Sequence, residues 1–163
     1  MRYDGLGMPV GLSVMGKVGS NDGDHADADS PEPAPGDTYT EVYSYGFGQP
    51  GTAEPMWARV RRCQTFGDPA TVWEDAVSYF DGTGRSALQK VRSAPDLEGK
   101  YGTAAETWVG TGKVIYDNKG NPVKQYEPFF DGSPDDVTDD ALVARGVTPV
   151  LRYDPLGRLV RTD

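Results

Sequence analysis

Tyr116-Asp117-Asn118-Lys119-Gly120 decides how this chain is read, because its pattern stands in three other places. Tyr3-Asp4-Gly5-Leu6-Gly7, Phe80-Asp81-Gly82-Thr83-Gly84 and Tyr153-Asp154-Pro155-Leu156-Gly157 share its aromatic residue, its Asp and the Gly three residues later. Arg85 and Arg158 follow two of the copies; Met8 and Asn121 follow the others. The Asp residues lie 77, 36 and 37 positions apart. The first gap is close to two periods, as though one copy had decayed or been replaced by an insertion. Self-similarity at a fixed period marks a repeat architecture.

The motif has the chemistry of a hairpin turn. Asp at the first turn position accepts from backbone N–H groups two or three residues on. Gly, Asn or Pro suits the next position, and the later Gly takes the left-handed conformation of a type I turn with a bulge. The aromatic residue ends the incoming strand. Alternating apolar residues flank the turns as strands require: Val10, Leu12 and Val14 after the first, Val114 and Tyr116 before the third, Leu151 and Tyr153 before the fourth. One D-x-x-G is an ordinary surface turn, whereas four with an aromatic lead make a repeat.

Composition agrees. The 163 residues include 21 Gly and 13 Pro, too many for a helical protein and fitting for short strands joined by turns. Three Trp, nine Tyr and five Phe suit half-buried pleated surfaces. Only 37% of residues are hydrophobic and the mean hydropathy is −0.57, so the core is modest. Further strands are expected over 38–45, 57–65 and 71–80, and the sheet resumes at Trp108–Val109 and Lys113–Tyr116. The acidic, Pro-rich stretch 19–36 has little to bury and is expected to be an exposed, mobile loop; 95–105 is expected to be another loop. One short helix is expected near 134–145. Ser133 would cap it, Pro134 would stand at its first position, and Val137, Ala141, Leu142 and Ala144 would share a face. Gly146 would end it.

The net charge of −9 is uneven: residues 1–58 carry nine acidic and two basic groups. Arg59-Val60-Arg61-Arg62 is the one dense basic run, too little for a phosphate backbone or an anionic membrane. No apolar stretch is long enough to span a bilayer, and the N-terminus has no signal-peptide character. The single Cys63 reads as a small buried hydrophobe.

Candidate chemical motifs fail on their details. Gly46-Phe47-Gly48-Gln49-Pro50-Gly51 fits a dinucleotide-binding pattern, but Pro50 and Pro55 obstruct the helix that would meet the pyrophosphate. In Gly110-Thr111-Gly112-Lys113-Val114, Thr107 stands where a phosphate loop needs its first Gly, and Val114 where it needs a hydroxyl. Asp22, Asp24, Asp27 and Asp29 miss calcium-loop spacing, with Ala26 at a ligand position. His25 and Cys63 are the one histidine and the one cysteine, too few for a zinc site, and the only candidate base for a nucleophile, His25, lies in the acidic loop. No catalytic, metal or cofactor-binding residue is assigned, and the chain is not expected to be an enzyme.

Longer strings give the repeat a context. The Tyr-Asp-x-x-Gly-Arg units resemble those of Rhs/YD-repeat proteins. The stretches 5–17, 108–113, 116–130 and 146–163 resemble the middle-to-C-terminal region of toxin-complex B components. The resemblance implies a spiral of β-hairpins forming part of a hollow shell that, with a C-type component, encloses a toxic effector polypeptide. It also implies extracellular delivery through a pore-forming A-type component. In that reading residues 1–163 are a partial shell segment, cut from a longer frame. Its characteristic residues are structural: Tyr3, Asp4, Gly7, Phe80, Asp81, Gly84, Arg85, Tyr116, Asp117, Gly120, Tyr153, Asp154, Gly157 and Arg158. A second reading, from a different class, is a surface adhesion or carbohydrate-binding module in which Trp57, Trp73 and Trp108 stack on sugars.

Overall fold

The structure, a computed structural model, describes residues 1–14, 16–17, 23–24, 38–49, 51–52, 54–65, 71–94, 107–143 and 148–163. Among them it is mainly β with one short helix, as the repeat pattern requires. The strands are β1 (Arg2–Tyr3), β2 (Pro9–Leu12), β3 (Glu41–Gly46), β4 (Met56–Cys63), β5 (Trp73–Phe80), β6 (Ser86–Ser93), β7 (Thr107–Thr111), β8 (Val114–Tyr116), β9 (Pro122–Gln125) and β10 (Phe129–Asp131), then α1 (Asp139–Val143), β11 (Leu151–Tyr153) and β12 (Leu159–Thr162). An open sheet is hydrogen-bonded in the order β1-β2-β3-β4-β5-β6-β7-β10, and β8-β9 and β11-β12 form separate two-stranded sheets. The chain divides into two units, residues 1–46 with 58–76 and residues 47–57 with 77–163.

In the first unit the core-facing position of β2 is Gly11, not the flanking Val10 or Leu12, which are half-buried; Val14 is exposed. A Cβ on Gly11 would come within 2.6 Å of the Tyr39 ring, which lies across the glycine. This aromatic cover lets β2 pair with β3 through Gly11 and Val42. In β4 and β5, Arg59 grips buried Asp75 through two hydrogen bonds, Nε to Oδ1 at 2.7 Å and Nη2 to Oδ2. Arg62 donates to Glu41 at 2.7 Å, and Arg61 stands 5.7 Å from the Trp73 ring centre. The three arginines of the basic run are thus each engaged within this unit.

The second unit holds the core. Val77, Tyr79, Leu88 and Trp108 cluster on one face, with Trp57 and Phe129 packed against them. The register explains the grouping. Lys90 pairs with Gly110 across β6 and β7, and Phe129 with the same Gly110 across β7 and β10. The Phe129 ring covers Gly110 so closely that a Cβ there would sit 2.8 Å from Cε1. Burying a full aliphatic or aromatic side chain contributes about 1.5–3 kcal/mol, so this cluster is the main source of cohesion on the face.

Three expectations need correction. The helix is shorter than 134–145: it starts at Asp139, with the Leu142 amide reaching the Thr138 carbonyl at 3.3 Å, and residues 144–147 lie outside the described set. Ser133 does not cap it, because the carbonyls of Ser133 and Asp135 turn to accept from Lys90 and cannot join a helical ladder. The acidic stretch is not wholly exposed, since Asp24 is 3% exposed. Its carboxylate accepts from the Val14 amide at 3.0 Å and the Thr40 hydroxyl at 2.5 Å, which compensates the burial. Apart from Gly23 and Asp24, that stretch and 95–105 fall outside the described residues. Cys63 is half-buried at the end of β4, and burial raises its thiol pKa.

Candidate functional site

The four aromatic-Asp-x-x-Gly segments fold into one repeated object. Each Asp amide donates to the carbonyl four residues on, at 2.8 Å to Met8 and 2.9 Å to Arg85, Asn121 and Arg158. Each turn glycine donates back to the Asp carbonyl at 2.9–3.0 Å, with φ of 78° at Gly7, 82° at Gly84, 85° at Gly120 and 80° at Gly157. Each Asp Oδ1 accepts from the amides two and four residues on, rather than two and three, at 2.8–2.9 Å throughout. The fourth-residue contact exists because the glycine's left-handed turn swings the following amide back towards the carboxylate.

The remaining carboxylate oxygen selects the residue after the glycine. Oδ2 of Asp81 takes Arg85 Nε at 2.8 Å, that of Asp117 takes Asn121 Nδ2 at 3.0 Å, and that of Asp154 takes Arg158 Nε at 2.7 Å. These donors hold the acids ionised. The Thr83 hydroxyl and neighbouring amides lower Asp81 far below the ordinary carboxylate range. The Asn121 side chain chiefly lowers Asp117, and the Arg158 amide chiefly lowers Asp154. Carboxylates so fully committed to donors in the ground state are locks, not proton-transfer groups.

The turns of the second unit also bind one another. Arg85, locked to its own Asp81, lays its guanidinium 4.0 Å from the Tyr116 ring centre and donates from Nη1 to the Gly120 carbonyl at 3.1 Å. Lys119 of the third turn donates to the Pro155 carbonyl of the fourth at 2.9 Å. The Tyr153 hydroxyl donates to the Pro122 carbonyl at 2.9 Å, and Lys124 bridges to Val150.

The first unit repeats one of these contacts. The Tyr45 hydroxyl donates to the Pro9 carbonyl at 2.9 Å. Pro9 stands five residues after Asp4 as Pro122 stands five after Asp117. Tyr45 therefore occupies the place of a lead aromatic, followed by Gly46 where Asp would stand. It stands inside the 77-residue gap between Asp4 and Asp81, where Gln49 also takes the place of the turn glycine. Sequence matching on Asp could not find it, although the aromatic at Tyr45 was visible. Of the Gly46–Gly51 motif, Gly46 ends β3 and Gly48 has φ 65°, and the next described element is strand β4 instead of a phosphate-binding helix.

A second constellation was missed by sequence reasoning. Lys90 is fully buried and donates to Asp131 at 2.7 Å, to the Ser133 carbonyl at 2.9 Å and to the Asp135 carbonyl. Lys113 donates to Asp136 at 2.9 Å and Lys124 to Asp139 at 2.7 Å, while the Tyr79 hydroxyl reaches the Pro134 carbonyl at 2.9 Å. Three lysines, one in β6, one between β7 and β8 and one in β9, thus hold 131–139, a segment that includes buried Val137. Tyr126 donates to Asp139; burial first, and that carboxylate second, push its phenol up to about 12.

Among the described residues no group of three or more His, Cys, Asp or Glu is placed to hold a metal ion, and no helix is long and apolar enough to cross a membrane. Asp22, His25, Asp27 and Asp29 lie outside them. Trp108 is 1% exposed, Trp57 packs on the cluster and Trp73 is half-buried beside Arg61. They do not form an exposed stacking platform.

The described residues thus form an open antiparallel sheet and two separate hairpins, with Asp-Gly turns joining β1 to β2, β5 to β6, β8 to β9 and β11 to β12. The fold is similar to that of the TcdB2-TccC3 toxin complex: 99% of this chain superposes on 9% of that chain with a TM-score of 0.67 at 21% identity. The same complex without its hypervariable C-terminal region matches 67% of this chain at a TM-score of 0.52 and 25% identity, covering 6% of that chain. TcdB2-TccC3-TEV matches 69% at 0.53 and 24%. The chain therefore spans less than a tenth of the solved chains it resembles. No family model and no curated protein sequence matches it.

Proposed function

We propose that this chain is a wall segment of a B-type toxin-complex shell, contributing hairpins to a container for a toxic effector and carrying out no turnover itself. The observation that carries the reading is the likeness of nearly the whole chain to a stretch of TcdB2-TccC3. Two features support it. The turn carboxylates are saturated with donors, and the hairpins are joined turn to turn by Arg85, Lys119 and Tyr153. Its partners would be the remainder of the repeat shell, a C-type component carrying the effector and, through other regions, an A-type pore. Its place of action would be extracellular, within that complex.

The test is a graft. This chain replaces the matching segment of TcdB2, and the chimaera is produced with TccC3. The expected result is a complex that retains TccC3 and shields its hypervariable C-terminal region from added protease. A folded chimaera that leaves that region as digestible as free polypeptide would overturn the proposal.

A further inference from the structure

The sequence holds four Asp-Gly pairs, and three of them have both residues described: Asp4-Gly5, Asp81-Gly82 and Asp131-Gly132. The first two open repeat turns. There Oδ1 reaches past the glycine to the amides two and four residues on, and Oδ2 of Asp81 is taken by Arg85. Asp131 is held differently. It ends β10, and its Oδ1 accepts from the amide of Gly132 itself at 2.9 Å. Its Oδ2 accepts from Lys90 Nζ at 2.7 Å. The carboxyl carbon therefore stands beside the nitrogen that follows it in the chain, and a glycine, having no Cβ, leaves that approach open. The Asp131 side chain is 15% exposed and that of Lys90 0%, so the surrounding fold restrains the pair in this arrangement.

We propose that Asp131 is a site of backbone modification, where the Gly132 nitrogen closes on the Asp131 carboxyl to a succinimide that water reopens to isoaspartate. In the first step the bond from the Gly132 nitrogen to Asp131 Cγ forms and the bond from Cγ to Oδ2 breaks. Oδ2 leaves as water, carrying the amide proton and one proton from the Lys90 ammonium, which becomes the amine. In the second step water adds to the main-chain carbonyl carbon of Asp131, and that carbon's bond to the Gly132 nitrogen breaks. The nitrogen stays on Cγ and a carboxylate forms; one proton of the water returns to the nitrogen and the other to Lys90. The main chain then runs through Cβ. This adds one atom between β10 and the segment that follows, and it moves the carboxylate relative to Lys90.

Prolonged incubation of the folded full chain at neutral pH tests this, read by peptide mapping and by labelling with an isoaspartyl methyltransferase. Isoaspartate is expected at Asp131, accumulating at least about tenfold faster than at Asp4 or Asp81, whose carboxylates are held by more distant amides. In the chain unfolded in urea the three sites are expected to convert at similar rates, which separates the fold's contribution from that of the dipeptide. Lys90→Arg keeps the charge but has no proton to give, and it is expected to slow conversion at Asp131. The comparison of sites in the wild type stands whether or not that variant folds. An Asp131 that stays aspartate, one that converts no faster than Asp4 and Asp81 in the folded chain, or a preference for it that persists in urea would each overturn the proposal. Conversion at the wild-type rate in a folded Lys90→Arg chain would remove the lysine from the reaction.

Discussion

Lys90 lies 2.7 Å from Asp131 with none of its own surface exposed. The Ser133 and Asp135 carbonyls join the carboxylate around its Nζ. Removing one member of such a group leaves the others desolvated and unmatched. Lys90→Met is therefore expected to destabilise the chain by about 3 kcal/mol or more despite the apolar replacement. Urea unfolding monitored by Trp fluorescence reads it. A loss below about 1 kcal/mol would mean that the 131–139 segment leaves the sheet at little cost.

The turn glycines separate conformational strain from contact. Gly84 and Gly120 have nearly the same positive φ, but a Cβ on Gly84 meets nothing within 4 Å while one on Gly120 meets Arg85 Nη1 at 2.6 Å. Gly84→Ala is expected to cost about 1 kcal/mol from the left-handed backbone. Gly120→Ala is expected to cost about 2 kcal/mol, since it also disturbs the link between turns. Equal shifts in the urea midpoint would show that Arg85 yields freely.

Two of the tyrosine-to-carbonyl contacts, those of Tyr45 and Tyr153, give a matched pair. Tyr45→Phe and Tyr153→Phe each delete one hydroxyl donor to a proline carbonyl, and each is expected to cost about 1 kcal/mol. Thermal unfolding of both variants checks it. A Tyr45→Phe variant indistinguishable from the wild type would remove the case for a lead aromatic at that position.

Stability at the two ends of the pH scale follows from the shifted groups. Asp81, Asp117, Asp139 and Asp154 have lowered folded pKa values, so their contribution is complete above the ordinary Asp pKa of about 3.9 and is lost as pH falls through the lowered values. Unfolding in acid is thus expected to begin below about pH 4. Tyr126 is raised to about 12, so its contribution is complete below the ordinary Tyr pKa of about 10 and fades as pH rises towards its folded value. Tyr126→Phe is expected to flatten the alkaline part of the stability curve. Tyrosinate absorbance, titrated on wild type and variant, identifies the late-ionising phenol.

The turns were legible in the sequence because their bonds are local: an Asp, a Gly three residues on and the donors between them lie within one short segment. Most of the longer strands were legible to within a few residues, although β6, β9, β10 and β12 were not singled out. The core positions of β6 are Leu88 and Lys90, and a buried lysine erases the apolar alternation that marks a strand. Gly11 and Gly110 failed to register as interior positions for a related reason. A glycine carries no apolar signal, and the Tyr39 and Phe129 rings that cover them come from elsewhere in the chain. Ser133-Pro134-Asp135-Asp136 reads locally as a helix start, but Lys90, over 40 residues away, claims its carbonyls. The lysine clamp was invisible for the same reason, since each of its pairs joins different elements.

The self-locking turn has a consequence for how such a chain can change over generations. A turn that satisfies its amides and its carboxylate from its own residues imposes no sequence requirement on the strands it joins. A duplicated stretch of one 36-residue period brings its own closure with it. The strand that ends at Tyr45-Gly46 pairs with its neighbours although no Asp stands in that place. The array of hairpins can therefore lengthen or shorten one hairpin at a time, and its reach is a quantity that selection can adjust in steps.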